Sequence, residues 1–217
     1  MFHVKHSVIE VNVSRETLNE VDLLFKSNVE LLDKYAVLLE TWNKRINLLS
    51  RGTKKDVIIK HIHHSLMVLY SECFQTNDIE RIIDAGSGGG LPGIPLGIAT
   101  EKEVRLIDVV EKKILTANQI CRSLGLKNVL GHHKSIADFE TTGSDIYVSK
   151  HAFKLGDFFQ LIESQKCHRA VFLKGETFFE ELELCNIPLA IKYIDLYKYH
   201  NDDFYKGKMV LSIQVKS

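Results

Sequence analysis

Between Ser14 and Ser71 the chain holds one glycine and no proline, and its apolar residues recur at helical spacing. Leu31, Leu32, Tyr35, Leu38, Leu39, Trp42, Ile46 and Leu49 fall on one stripe, as the core-facing residues of an amphipathic helix do. Ser14, followed by Glu16 and Thr17, offers polar N-cap chemistry at the start of this region. Ser50-Arg51-Gly52-Thr53 interrupts it before a second amphipathic stretch over 56–70. The pattern predicts a helical N-terminal cap over residues 1–80. From residue 81 the rhythm changes to strand, turn, helix, with short apolar runs at 81–84, 104–108, 128–131, 145–149 and 170–174. Such alternation predicts an α/β unit over 81–217, a parallel sheet covered by helices with ligands at the carboxyl ends of its strands. Segments 191–199 and 209–215 are joined by Asn201-Asp202-Asp203 and Lys206-Gly207 without room for a helix, and should pair as an antiparallel hairpin.

Composition narrows the classes. Over 217 residues, 45% are hydrophobic and 26% charged, which fits a compact globular chain and excludes intrinsic disorder. No apolar stretch is long enough for a membrane span, and the start at Met1 has no apolar signal region, so a cytoplasmic protein is expected. Cys73, Cys121, Cys167 and Cys185 lie far apart, in no C-x-x-C pair, and read as reduced thiols. Lys plus Arg equals Asp plus Glu at 28 each, so any affinity for nucleic acid must be local. A local basic island exists: Lys44, Arg45, Arg51, Lys54, Lys55 and Lys60 stand against the single acid Asp56. His61, His63 and His64 add donors and Trp42 could stack, a combination suited to phosphate contacts beside an exposed base. His61 and His64 are three apart, yet no H-E-x-x-H pattern accompanies them, and no metal is expected.

The sharpest motif is Asp84-Ala85-Gly86-Ser87-Gly88-Gly89-Gly90-Leu91-Pro92-Gly93, directly after the first strand of the α/β region and before a helix. Glycines there permit a tight turn and close approach of a ligand to the backbone. Asp108 ends the next strand 24 residues after Asp84, where a carboxylate would accept hydrogen bonds from a ribose diol. Gly88, Gly90 and Gly93 also satisfy G-x-G-x-x-G, so a nicotinamide dinucleotide and an oxidoreductase are the rival reading. The acid at the strand end in Asp84-x-Gly86-x-Gly88-x-Gly90 favours S-adenosylmethionine, whose methionine ammonium it could hold. The whole pattern then suggests the class I methyltransferase architecture: Rossmann-like, with a mostly parallel seven-stranded sheet ending in the hairpin.

The segments WNKRINLLS (42–50), KHIHHSL (60–66), DAGSGGGLPGIPLGI (84–98) and FLKG (172–175), in this order, resemble the bacterial small-subunit ribosomal RNA guanine-N7 methyltransferases, also called glucose-inhibited division protein B. The resemblance spans nearly the whole chain. It implies transfer from S-adenosylmethionine to a guanine N7 of 16S ribosomal RNA, alone or in the small subunit. Separately, a monomer is expected. The resemblance implies that Gly86 and Leu91 contact the cofactor, that Ile136 and Ala137 flank its adenine, and that Lys150 replaces an arginine lining the site. Lys174, just after the fifth strand, falls where it could face the target base or merely close the sheet. The chain departs from the family at Ser135-Ile136-Ala137, usually Arg-Ala-Glu, at Ser149-Lys150-His151, usually Ser/Ala-Arg-Ala, and at His64, commonly an acid. These departures motivate a second reading, a ribosome-binding or assembly factor with weak transfer. The chemistry itself needs no general base, since the N7 lone pair is free at neutral pH and positioning should dominate. Rival target atoms are disfavoured: Pro92, Pro95 and Pro188 form no Asn/Asp-Pro-Pro loop for amine methylation, and no cysteine is placed for attack on cytosine.

Overall fold

The computed structural model describes residues 6–50, 52–75 and 78–216. Among its described residues the N-terminal region forms three α-helices, followed by two short 3-10 turns, Met67–Tyr70 and Glu72–Phe74. Helix α1 (Arg15–Ser27) starts where the Ser14 hydroxyl accepts the Thr17 N–H, and it ends at Asn28, whose backbone leaves the helical region. Helix α2 (Val29–Asn43) buries Leu32, Tyr35 and Leu39 of the expected stripe, together with Ala36, while Leu31, Leu38 and Trp42 pack partly buried against the same core. It stops at Asn43 rather than continuing through Leu49. Ile46 and Leu49 therefore pack on the same core from a loop, not from a helix face. Helix α3 (Lys55–Leu66) turns Ile58, Ile62 and Leu66 inward.

The sheet follows in alternation with its helices: β2 (Arg81–Ala85), α4 (Gly93–Thr100), β3 (Glu103–Asp108), α5 (Glu111–Leu124), β4 (Val129–His133), β5 (Asp145–Lys150), α6 (Leu155–Leu161), β6 (Arg169–Gly175), α7 (Phe178–Glu183), β7 (Leu189–Asp195) and β8 (Lys208–Val215). With β1 (Ser7–Glu10) at one edge, strand order is β1-β7-β8-β6-β5-β2-β3-β4, parallel except where β8 runs antiparallel to both neighbours. The hairpin expected at the C-terminus is thus present. Its connection contains two short 3-10 turns, capped by the Asp195 and Asp202 carboxylates.

The sheet holds eight strands, one more than the seven expected. The extra member, β1 (Ser7–Glu10), pairs in parallel with β7 at the edge. It lies in the region read as cap, and with only Val8-Ile9 as an apolar run it carries too short a signal to stand out.

Successive residues of a strand face opposite sides, so the continuous apolar runs feed two cores. On one face Ile82, Val104, Leu106 and Val148 pack with α4, α5 and residues of the N-terminal helices, including Leu32, Tyr35, Leu39 and Ile62. On the other, Ile83, Ile107 and Tyr147 pack with Phe158 and Phe159 of α6 and Phe178 of α7. Chain order reverses between β2 and β5, which opens a crevice above their carboxyl ends, the usual ligand position in such sheets.

Candidate active site

The crevice floor is the glycine loop between β2 and α4. Gly86 and Gly88 adopt φ values of +70° and +54°, a left-handed conformation that β-carbons disfavour. A Cβ on Gly86 would lie 2.4 Å from the Ala152 Cβ, so the loop after β5 rests directly on the loop after β2. The Ser149 hydroxyl donates to the Ala85 carbonyl at 2.8 Å and ties the two strand ends. From the N-terminal side, the buried Tyr35 hydroxyl donates to the Gly89 carbonyl at 2.9 Å. The helical region and the glycine loop therefore hold each other in place.

Asp84 lies beneath this loop, fully buried, with Oδ2 accepting the Gly93 N–H at 2.8 Å and Oδ1 without a partner. Burial pushes its carboxyl up to about 8, against the pull of the Gly93 amide and, more weakly, of Lys150. Asp108, at the end of β3, accepts the Gly88 N–H through Oδ2 and the Val110 N–H through Oδ1, each at 2.9 Å. Each oxygen keeps a second lone pair for a ligand hydroxyl.

Two cavities open above this floor. The first, about 360 Å³, is walled by Ile107, Asp108, Val109, Val110, Ile136, Phe153 and Leu161, with Lys134 and Ser135 at its polar side. Such a lining could hold an adenine with its ribose against Asp108. The second, about 320 Å³, is walled by Leu48, Leu49, Ser50, His61, Ser87, Gly88, Gly89, Leu91 and Lys150. Gly86, Lys113 and Ala152 belong to both walls, so the cavities form one cleft. Of the residues expected at the cofactor, Gly86, Gly88, Leu91, Asp108, Ile136 and Lys150 line the cleft. Asp84, Gly90 and Ala137 stand behind it. The Ala137 N–H is taken by the Ser135 hydroxyl at 3.2 Å, which closes the short turn Ile136–Asp138.

The basic residues divide. Lys150 Nζ donates to His61 Nδ1 at 3.1 Å on the second cavity's wall. Burial, with like charge from Lys208, lowers Lys150 to about 7, and burial beside Lys150 lowers His61 to about 3. Lys44 and Arg45 line an adjoining groove of about 430 Å³ with Asn43, Asn47 and Lys112. Lys54 is exposed. Lys55 pairs with Asp33 and Lys60 with Asp202, both at 2.7 Å, so these two charges are partly spoken for. Arg51 lies outside the described residues. Lys174 requires correction. Rather than facing a base, its buried ammonium sits between the Glu181 carboxylate, at 2.6 and 2.7 Å, and the Phe153 carbonyl at 2.5 Å. Glu181 also accepts the Leu155 N–H at 3.0 Å, so the pair fastens α7 to the loop that covers Gly86. Asn43 was missed at the sequence level: its Oδ1 accepts the Leu48 and Leu49 N–H groups and shapes the loop that walls the second cavity. Lys113 was missed too, because one lysine in an amphipathic helix carries no signal. No group of three His, Cys, Asp or Glu residues able to hold a metal occurs among the described residues.

A doubly wound sheet with an antiparallel C-terminal hairpin, a glycine loop after its first central strand and an acid on the next, above an apolar slot, defines a class I S-adenosylmethionine-dependent methyltransferase. Solved structures agree on the fold: MtNAS in complex with S-adenosylmethionine superposes with a TM-score of 0.57 at 14% identity, covering 94% of this chain and 80% of that one. The StiE O-MT does so with 0.52 at 14%, covering 77% and 78%. The sequence goes further, because the family GidB, rRNA small subunit methyltransferase G, matches residues 28–202. The curated ribosomal RNA small subunit methyltransferase G of Chlorobium limicola is 36% identical over 73% of both chains, and that of Flavobacterium johnsoniae 34% over 87% of this chain and 91% of its own. The chain belongs to the rRNA small subunit methyltransferase G family.

Proposed function

We propose that this protein methylates N7 of a guanine in small-subunit ribosomal RNA, with the adenosine of S-adenosylmethionine in the first cavity and the target base entering the second. When bound, the cofactor supplies a methyl group whose bond to sulfur breaks as its bond to N7 forms, leaving S-adenosylhomocysteine. The observation that carries the reading is the chemistry of the second cavity: among the described residues its wall contains no carboxylate and no cysteine. An amine target would need a proton removed, and a cytosine C5 target would need a thiol nucleophile. Guanine N7 needs neither, because its lone pair is available and no proton leaves. His61, held uncharged by its surroundings, with Nδ1 already accepting from Lys150, has no proton to collect.

The protein's own contribution is placement. Asp108 presents acceptors for a ribose diol, Ile136 and Phe153 offer apolar faces, and the Gly86 backbone leaves room where the cavities meet. The groove of Lys44, Arg45 and Lys112 and the exposed Lys54 give the RNA backbone a track towards that point. The test is incubation with small ribosomal subunits and methyl-labelled S-adenosylmethionine, followed by nucleoside mass spectrometry. Label should appear as N7-methylguanosine. Label in any other nucleoside would refute the assignment, and no label with stable binding to the subunit would favour an assembly factor.

A further inference from the structure

Five basic side chains from three elements meet beside the second cavity. His61 and His64 come from α3, Lys150 and His151 from the end of β5, and Lys208 from the start of β8. Lys150 Nζ is 3.1 Å from His61 Nδ1, and the His64 and His151 rings are 6.5 Å apart. Phe204 joins the group, with ring centroids 5.1 Å from His61 and 6.1 Å from His64, and with Lys208 Nζ 4.1 Å from its centroid. Among the described residues no carboxylate forms an ion pair with any of the five: Asp84 accepts the Gly93 amide and leaves Oδ1 unpartnered, Glu181 holds Lys174, and Asp202 holds Lys60.

Two further observations show that the cluster is arranged for an anion. His64 is wholly buried, yet neither ring nitrogen has a hydrogen-bond partner. Buried polar groups are ordinarily satisfied, and an orphan of this kind calls for an explanation. His151 holds a left-handed backbone at φ +55°, a conformation non-glycine residues adopt sparingly and one that recurs at ligand-binding sites. A cation is the wrong occupant, since the two ammonium groups would repel it.

We infer that this cluster seats one backbone phosphate of the RNA substrate beside the methylated nucleotide, with His61, Lys150, His151 and Lys208 as donors and His64 supporting them from behind. The inference rests on the proposed RNA substrate and adds to it the element that is gripped. A phosphodiester offers acceptor oxygens to several cationic donors at once. His151 and Lys208 keep accessible surface, so the cluster opens to solvent. Burial and mutual repulsion keep Lys150 near 7 and His151 near 4 in the free protein, so an entering anion draws protons in.

The experiment uses the full chain with His151→Gln and Lys208→Gln combined, and a 16S fragment carrying single methylphosphonate linkages around the target guanine. Calorimetry with S-adenosylhomocysteine runs in parallel. The double variant should bind RNA about tenfold more weakly. Its log-log salt slope should be shallower by about 0.7. One methylphosphonate position should weaken the wild type but not the variant, S-adenosylhomocysteine affinity should stay unchanged, and Lys208→Arg should restore RNA binding. Unchanged RNA affinity and slope in the double variant overturn the seat. So does a loss confined to S-adenosylhomocysteine, which would assign the cluster to the cofactor's own carboxylate. If the wild type neither binds nor methylates the RNA, the proposed function fails as well. Methylation that persists with an indifferent double variant removes the seat alone.

Discussion

Replacing Asp108 with Asn separates the two jobs of this carboxylate. In the free protein it accepts the Gly88 and Val110 N–H groups, and in the complex it would also accept from the ribose diol. An Asn side chain has one acceptor oxygen, so one of those two amides loses its partner. Leaving a partly buried donor without its partner costs up to about 1–3 kcal/mol. For a chain of this size that corresponds to a fall in Tm of roughly 2–10 °C. Binding should suffer separately, because charge-assisted hydrogen bonds to the diol contribute about 1.5–3 kcal/mol, equivalent to roughly 10- to 150-fold in Kd. Calorimetry with S-adenosylhomocysteine and with its 2′,3′-dideoxy analogue closes a double-mutant cycle. Removing the hydroxyls should weaken the wild type strongly and Asp108→Asn little. Equal losses in both proteins would mean that Asp108 only shapes the loop, and the placement of the ribose would be wrong.

Three other perturbations follow from the same geometry. Lys174→Met alone should strip a partly buried carboxylate of its partner and destabilise by about 1–3 kcal/mol, whereas Lys174→Met with Glu181→Leu should recover much of that in denaturant titrations; an innocuous single variant would contradict the observed pairing. Replacing Lys44, Arg45 and Lys54 with Gln together should flatten the salt dependence of RNA binding by about 0.7 for each phosphate no longer neutralised. Replacing Lys55 and Lys60, already paired with Asp33 and Asp202, should flatten it less, and the reverse order would move the RNA track. His64 is held well below its ordinary range by burial and by Lys150, so below about pH 6.5 the unfolded chain takes up a proton that the folded chain refuses. Stability present at neutral pH should therefore decline on acidification by about 1.4 kcal/mol per pH unit from this residue, and His64→Leu should flatten the decline in Tm measured from pH 7 to 5.5.

The sheet was legible because its strands are short apolar runs set between helices, a period that survives any detail of packing. The glycine loop was legible for a related reason: left-handed backbone leaves a composition. Individual side-chain roles were less so. Asp84 reads as a ligand carboxylate, yet Gly93 draws it under the loop; nothing in one dimension separates an acid facing a cavity from one facing an amide two turns later. Lys174 reads as a strand-end cation, and only the arrival of α7 brings Glu181 to it. The stripe from Leu31 to Leu49 suggested one helix, because Ile46 and Leu49 return to the same core after Asn43 has ended the helix and bonded the loop. Strand β1 escaped notice because an edge strand of four residues, largely exposed, needs its neighbour β7 to exist.

Chemical cleavage specific for N7-methylguanine, applied to 16S ribosomal RNA from cells with and without this gene, tests the central claim most directly. A cleavage site present in the parent, absent in the deletion and restored by the wild-type chain is the expected outcome. Identical cleavage patterns in all three would contradict the account.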